Sequence, residues 1–295
     1  MAMVSLASCQ SDALARGYRF YQRHDYDRAI STFNRVISDN PDDQKKRKVA
    51  YLGLALCYMD LKKNQEAIDG FSEAIIIDKE YSSAYINRGI IHVRCDSYAK
   101  ALEDFTIAIK ILEKYYQEAS TGSGSYDEKL TYIRDDLHRI LYYRLMIYLH
   151  QEDYAAAFED IKSIIRISPG NAEAINNYAI MLSSCPDDKY YNPKEAMIWA
   201  NKAAEMVTSG KANKNDMARV FDTVAGVCAE NGDFSKAISW QEKAISNCQD
   251  EICMEKYQKS LDDFKSSKKV RVDLKEAFSQ WLKSKAIREP DLDRK

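Results

Sequence analysis

Glycine and proline are scarce, 10 and 5 among 295 residues. So few breakers count against a strand-and-turn architecture and leave long stretches free to be helical. No apolar run is long enough to cross a bilayer as a helix. The formal net charge is only -2, which excludes a general affinity for nucleic acid or anionic membrane. Histidine is rarer still: His24, His92, His138 and His150, none in HExxH or another two-histidine metal spacing. GxxxxGK[ST], GxGxxG and GxSxG are all missing. The expectation is a protein without catalytic, cofactor or metal residues. The seven cysteines (Cys9, Cys57, Cys95, Cys185, Cys228, Cys248, Cys253) form no CxxC pair and no zinc spacing. Most fall inside predicted helices as small apolar residues, a use that suits a reducing compartment. Only Cys248 and Cys253 are close in sequence, and they are expected to stay reduced.

The first nine residues stand apart. Leu6-Ala7-Ser8-Cys9 resembles a bacterial lipobox, in which Cys9 would carry lipid. No positive n-region precedes it, and the apolar part is shorter than a working signal. Residues 1–9 read either as a lipoprotein signal whose beginning is missing or as the frayed start of a cytoplasmic protein. Cysteine usage favours the cytoplasm, with an envelope lipoprotein as the alternative.

What the chain does have is a repeat. A small residue recurs as Ala29, Ala67, Ala101, Ala157, Ala196 and Ala237. The residues four and seven further on share its helical face: Phe33/Val36, Phe71/Ala74, Phe105/Ala108, Ile161/Ile164, Ala200/Ala203 and Gln241/Ala244. Only Gln241 breaks the apolar rule. Twelve residues before the anchor stands a second landmark, Gly17, Ala55, Gly89, Leu145 and Ala225, followed three later by Phe20, Tyr58, His92, Tyr148 and Cys228. In the fifth unit Ala179 and Leu182 take these places, with five extra residues before Ala196. Each unit is therefore a helix pair joined by a short turn. A small residue lets the two helices approach, and an aromatic fills the space beside them.

These residues resemble the tetratricopeptide repeat (TPR), whose signature runs small residue, aromatic, Ala, Phe, then Pro. Pro41 and Pro169 supply that Pro in the first and fourth units, while Lys79 and Glu113 replace it in the second and third. The fifth unit's SSCPDDKYYNPKEAMIWANKA resembles bacterial members of the family. The resemblance implies an all-α, right-handed α-solenoid of about six helix pairs. Anchor spacings are 38, 34, 56, 39 and 41, and the family period is 34. Units one to three are expected over 10–115 and units four to six over 138–247. The insert at 116–137 carries Ser120-Thr121-Gly122-Ser123-Gly124-Ser125, a flexible composition between lengthened helices. Residues 248–264 (Ile252, Met254, Tyr257, Leu261, Phe264) read as a capping helix. Residues 265–295 read as a basic linker, Lys265-Ser266-Ser267-Lys268-Lys269, and an amphipathic tail helix with Leu274, Phe278, Trp281 and Leu282.

The resemblance further implies that first helices line a concave face. On them Leu14, Tyr18 and Tyr21 are followed by Leu52, Leu56 and Met59, then Ile86, Ile90 and Val93, then Tyr142, Met146 and Leu149. All use the same spacing of four then three, which predicts one apolar band, a surface for another polypeptide's helix or extended chain. Asn176, Ile180 and Ser183, then Asp222, Gly226 and Ala229, make its far end polar. The family's chaperone-binding subgroup grips a terminal carboxylate with Lys, Asn and Arg on these helices. Asn87-Arg88 lies in a suggestive place, but Leu14, Tyr18, Leu52 and Leu56 stand where polar residues are needed, so no such clamp is expected. The basic run Lys45-Lys46-Arg47-Lys48 adjoins Asp42 and Asp43 and reads as a solvated helix start. The reading is a non-enzymatic adaptor or scaffold, with no cofactor and no nucleic-acid partner. The alternative is a self-associating structural protein, envelope-tethered where Cys9 carries lipid. The tail residues Leu274, Phe278, Trp281 and Leu282 are candidates for docking in cis or in a second copy.

Overall fold

The computed structural model describes residues 13–121, 127–210, 212–249 and 251–276. Cys9, Phe278, Trp281 and Leu282 lie outside them. Among the described residues there are thirteen helices and no strand. They fall into two compact units divided between Ile140 and Leu141.

The first unit holds α1 (Ala13–Gln22), α2 (Tyr26–Asp39), α3 (Gln44–Asp60), α4 (Asn64–Ile77), α5 (Ser82–Arg94), α6 (Tyr98–Thr121) and the beginning of α7 (Asp127–His150). Helices α1 and α2, α3 and α4, and α5 and α6 pack as pairs. Anchor alanines 29, 67 and 101 are buried with Phe33, Phe71 and Phe105. The small landmark has a steric reason. A Cβ on Gly17 would come within 2.6 Å of the Phe33 ring, and one on Gly89 within 2.6 Å of the Phe105 ring. Helices α6 and α7, 24 residues each, run into the insert from both sides.

The second unit takes the rest of α7, then α8 (Tyr154–Ile167), α9 (Ala172–Ser184), α10 (Pro193–Ser209), α11 (Lys214–Glu230), α12 (Phe234–Asn247) and α13 (Glu251–Lys265). Ala157, Ala196 and Ala237 are buried as in the first unit. Gln241, where other units have an apolar side chain, is fully buried. Its Nε2 donates to Asp222 Oδ1 at 2.9 Å and to the Tyr257 carbonyl at 3.2 Å.

Two buried ion pairs recur at one repeat position. Arg88 clasps Asp104 with two hydrogen bonds of 2.9 and 2.7 Å, and Arg144 clasps Asp160 in the same way. Each arginine stands just before the landmark and each aspartate three residues after the anchor, so the pair ties a first helix to its second. Burial still raises the pKa of Asp160, against the pull of Arg144. Asn87 donates to the Ser83 carbonyl at 2.7 Å, so Asn87 and Arg88 are both engaged within the chain. In the basic run, Lys46 pairs with Asp43, Arg47 donates to the Pro41 carbonyl and Lys48 pairs with Asp78.

Five of the six first helices end alike, α9 being the exception with Cys185 at φ -59. His24, Lys62, Asp96, Glu152 and Gly232 have positive φ, five residues before their anchor alanines. The next residue's amide donates to a carbonyl five residues back, as Asp25 does to Phe20 and Asp233 to Cys228. This is the 6→1 bond of a Schellman stop. Helix α13 ends the same way, with Ser267 at φ 56 and the Lys268 amide on the Asp263 carbonyl. Its small buried Ser260 sits where the landmark belongs. Helix α13 is thus built as the first helix of a seventh pair. Residues 268–273, which follow it, depart from the pattern.

Candidate functional site

The predicted apolar band is not a surface. Tyr21, Leu52, Met59, Ile86, Ile90 and Val93 in the first unit, and Met146 and Leu149 in the second, are buried. Leu14, Tyr18, Leu56 and Tyr142 are half-buried. The reason lies in the stacking of first helices on one another. Leu14, Tyr18 and Tyr21 of α1 share a cluster with Leu54 and Cys57 of α3, while Leu52 and Met59 pack with Ala84 and Ile91 of α5. Tyr18 reaches across to donate to the Val49 carbonyl at 3.0 Å, and Tyr142 accepts from Asn177 at 2.6 Å. Each first helix therefore needs two apolar stripes, one for its own second helix and one for the neighbouring first helix. The spacing of four then three marks the second of these. The supposed polar end is also largely interior, with Asn176, Ser183 and Ala229 buried.

A different site lies in the second unit, made by the chain's own C-terminal segment. After the stop at Ser267 no helix begins two residues later, as one does after His24, Lys62, Asp96, Glu152 and Gly232. Residues 268–273 run without regular structure, and a helical turn begins at 274. Asp273 caps that turn by accepting the Glu276 amide at 2.9 Å. Burial alternates along the segment. Val270 and Val272 are half-buried and Leu274 is 1% exposed, whereas Lys269, Arg271 and Asp273 are exposed. That period of two is the pattern of an extended chain lying on a surface.

The surface is a row of first-helix C-terminal ends. Lys269 Nζ donates to the Glu230 carbonyl at 2.9 Å, at the end of α11. Arg271 Nε donates to Glu230 Oε2 at 3.1 Å, and the Tyr191 hydroxyl donates to the same oxygen at 2.7 Å. The Arg271 guanidinium lies 4.3 Å from the Tyr191 ring centre. The Val272 amide donates to Ser184 Oγ at 3.3 Å, at the end of α9. Lys275 pairs with Glu152, in the turn after α7. The segment thus touches the ends of three successive first helices, in the order opposite to the chain. Cations suit such ends, because the last carbonyls of a helix carry partial negative charge.

Glu230 is the centre of this site. Its side chain is 2% exposed and its Oε1 makes no hydrogen bond. Burial, with Glu230 adding to it, pushes the Tyr191 phenol above its ordinary value, so it remains a donor. Of the four tail residues named from sequence, the structure places Leu274 in this contact. The sequence marks Lys265–Lys269 as a basic linker and Leu274 as part of a tail helix; it does not single out Glu230, Tyr191 or Ser184. The available signal was the alternation Val270, Val272, Leu274 against Lys269, Arg271, Asp273.

The site offers charge and hydrogen bonds from Glu230, Ser184 and Glu152, and a buried place for Leu274. Among the described residues, no group of three or more His, Cys, Asp or Glu could hold a metal ion. No described helix is long and apolar enough to cross a membrane. His92, beside Asp104 at 3.9 Å, is a buried packing residue; burial lowers its pKa, with Asp104 opposing.

Comparisons with known proteins agree with the repeat. Residues 14–85 match the tetratricopeptide repeat family model. The chain is 27% identical over 105 residues to a DnaJ homolog subfamily C member 7 homolog of Dictyostelium discoideum, covering 36% of this chain and 19% of that protein. It is 27% identical over 121 residues to the mitochondrial import receptor subunit TOM70 of Rattus norvegicus, covering 41% and 20%. The match thus spans about a fifth of these relatives' length. The crystal structure of YrrB, a TPR protein, superposes with a TM-score of 0.53 at 16% identity, over 77% of this chain and 97% of that one, a likeness of fold. Residues 14–85 thus carry the tetratricopeptide repeat, and the six anchors and paired helices give the chain the tetratricopeptide-repeat solenoid fold.

Proposed function

We propose that the chain is a non-enzymatic adaptor that holds a partner polypeptide on the row of helix ends in its second unit. TPR proteins as a class mediate protein–protein contacts, and the rat relative carries the name of an import receptor subunit. The observation that carries the reading is the chain's own segment 268–276, laid across α11, α9 and the turn after α7 through Glu230, Ser184 and Glu152. A surface that seats one extended chain by charge and a hydrophobic anchor has the chemistry to seat another.

The test is an array of immobilised twelve-residue peptides probed with the purified full chain. The adaptor reading expects a discrete set of bound sequences sharing a pattern; an array blank throughout would remove it. The second reading is self-association, with one copy's C-terminal segment seated on another. It expects a dimer by light scattering that becomes a monomer with Leu274→Asp, and a monomer at all concentrations would end it.

A further inference from the structure

We infer that the Glu230 site selects a basic extended segment with alternating apolar residues, and that residues 268–276 are its resident, displaceable occupant. The inference rests on the adaptor reading and gives that site a ligand chemistry. Three observations carry it. The first is the charge of the seat. Glu230 is buried with one oxygen, Oε1, lacking any hydrogen bond. A buried carboxylate is costly unless a cation faces it, so an acidic or neutral occupant would leave it uncompensated. The second is the incomplete fit of the present occupant. Arg271 uses Nε alone on Oε2, whereas an arginine can bind both carboxylate oxygens at once. A foreign arginine in that side-on geometry would also satisfy Oε1. The third is the lightness of the grip. Lys269, Arg271, Asp273 and Lys275 are exposed, and full burial is reached only at Leu274.

The pattern required of a partner follows from the occupant. A basic residue must fall on Glu230, a second basic residue two before it on the end of α11, and apolar residues one and three after it in the places of Val272 and Leu274. Covalent attachment gives the resident segment an effective concentration of order millimolar, so a free peptide has to compete with it. Loosening the segment should therefore expose the seat without altering it.

The experiment is fluorescence polarisation with a labelled peptide of sequence KKVRVDLKE, residues 268–276, added to the full chain. Wild type is expected to bind weakly. The variant Arg271→Glu with Leu274→Asp is expected to bind about tenfold or more tightly, as cis competition is removed. Adding Glu230→Gln to that variant should weaken binding by about tenfold, the worth of one charge-assisted hydrogen bond. Tyr191→Leu in the same background provides a milder change if Glu230→Gln disturbs folding, and should also weaken binding by removing the ring against the guanidinium. A peptide with Arg271 and both lysines 268 and 269 replaced by glutamate should not bind. Equal binding by wild type and the loosened variant would overturn the displaceable occupant. Binding indifferent to Glu230→Gln and Tyr191→Leu, or equal for the acidic peptide, would overturn the basic seat and leave the adaptor reading standing. A peptide array without any bound sequence would instead remove the adaptor reading itself.

Discussion

Replacing Ile86 by Ala separates a core from a binding surface. Ile86 was expected to line an open groove, but it is 1% exposed on α5. Truncating a fully buried isoleucine costs about 2–5 kcal/mol, the lost transfer energy plus the cavity left behind. A side chain on an open face would cost within about 0.5 kcal/mol. With a urea slope of about 3 kcal/mol/M, the larger cost lowers the unfolding midpoint by roughly 1 M, well outside error. Far-UV circular dichroism in urea reads it directly. Met146→Ala, also fully buried but in the second unit, should behave in the same way. Ile76→Ser on α4 is the control, because Ile76 is 68% exposed and its loss should leave the midpoint in place. If Ile86→Ala and Met146→Ala unfolded with wild type, those residues would be facing solvent and the account of stacked first helices would be wrong.

Arg88→Met should cost about 3 kcal/mol in the same assay, because it strands the buried Asp104 carboxylate, whereas the double change Arg88→Met with Asp104→Leu should restore most of the loss. Gln241→Leu should destabilise by about 1–3 kcal/mol by removing the donor to Asp222 and the Tyr257 carbonyl, despite matching the apolar residues of the other repeats. His92 predicts a pH effect. Its folded pKa lies below its ordinary value, so below about pH 6.5 the unfolded chain binds the extra proton and stability falls as pH falls. Urea midpoints at pH 7.5 and 5.5 should therefore differ more for wild type than for His92→Gln, and an equal difference would remove His92 from the explanation.

The helix pairs were legible because their packing repeats a rule that sequence displays. Ala29, Phe33 and Val36 recur with their counterparts at fixed offsets, and a Gly or Ala faces each aromatic across the pair. The turns were less legible. Of the left-handed residues ending the first helices, only Gly232 is a glycine, so the usual C-terminal signal is missing at His24, Lys62, Asp96, Glu152 and Ser267. The binding surface was misplaced because periodicity identifies an apolar stripe without saying what covers it. For Leu52 and Met59 the cover is α5, a contact between residues far apart in sequence. The Glu230 site was out of reach for a related reason. Arg271 and Glu230 are 41 residues apart, and Lys275 and Glu152 are 123 apart. Only the fold brings them together. The two-residue alternation after Lys268 hinted at an extended chain, yet nothing local to it named the carboxylate it would meet.

The central claim is that the second unit holds an extended polypeptide against Glu230. Hydrogen–deuterium exchange of the full chain, followed by mass spectrometry over residues 268–276, tests it most directly. Protection centred on Val272, whose amide is bound to Ser184, is expected in wild type and should vanish in Leu274→Asp. Exchange of that segment in wild type at the rate of a free peptide would contradict the claim.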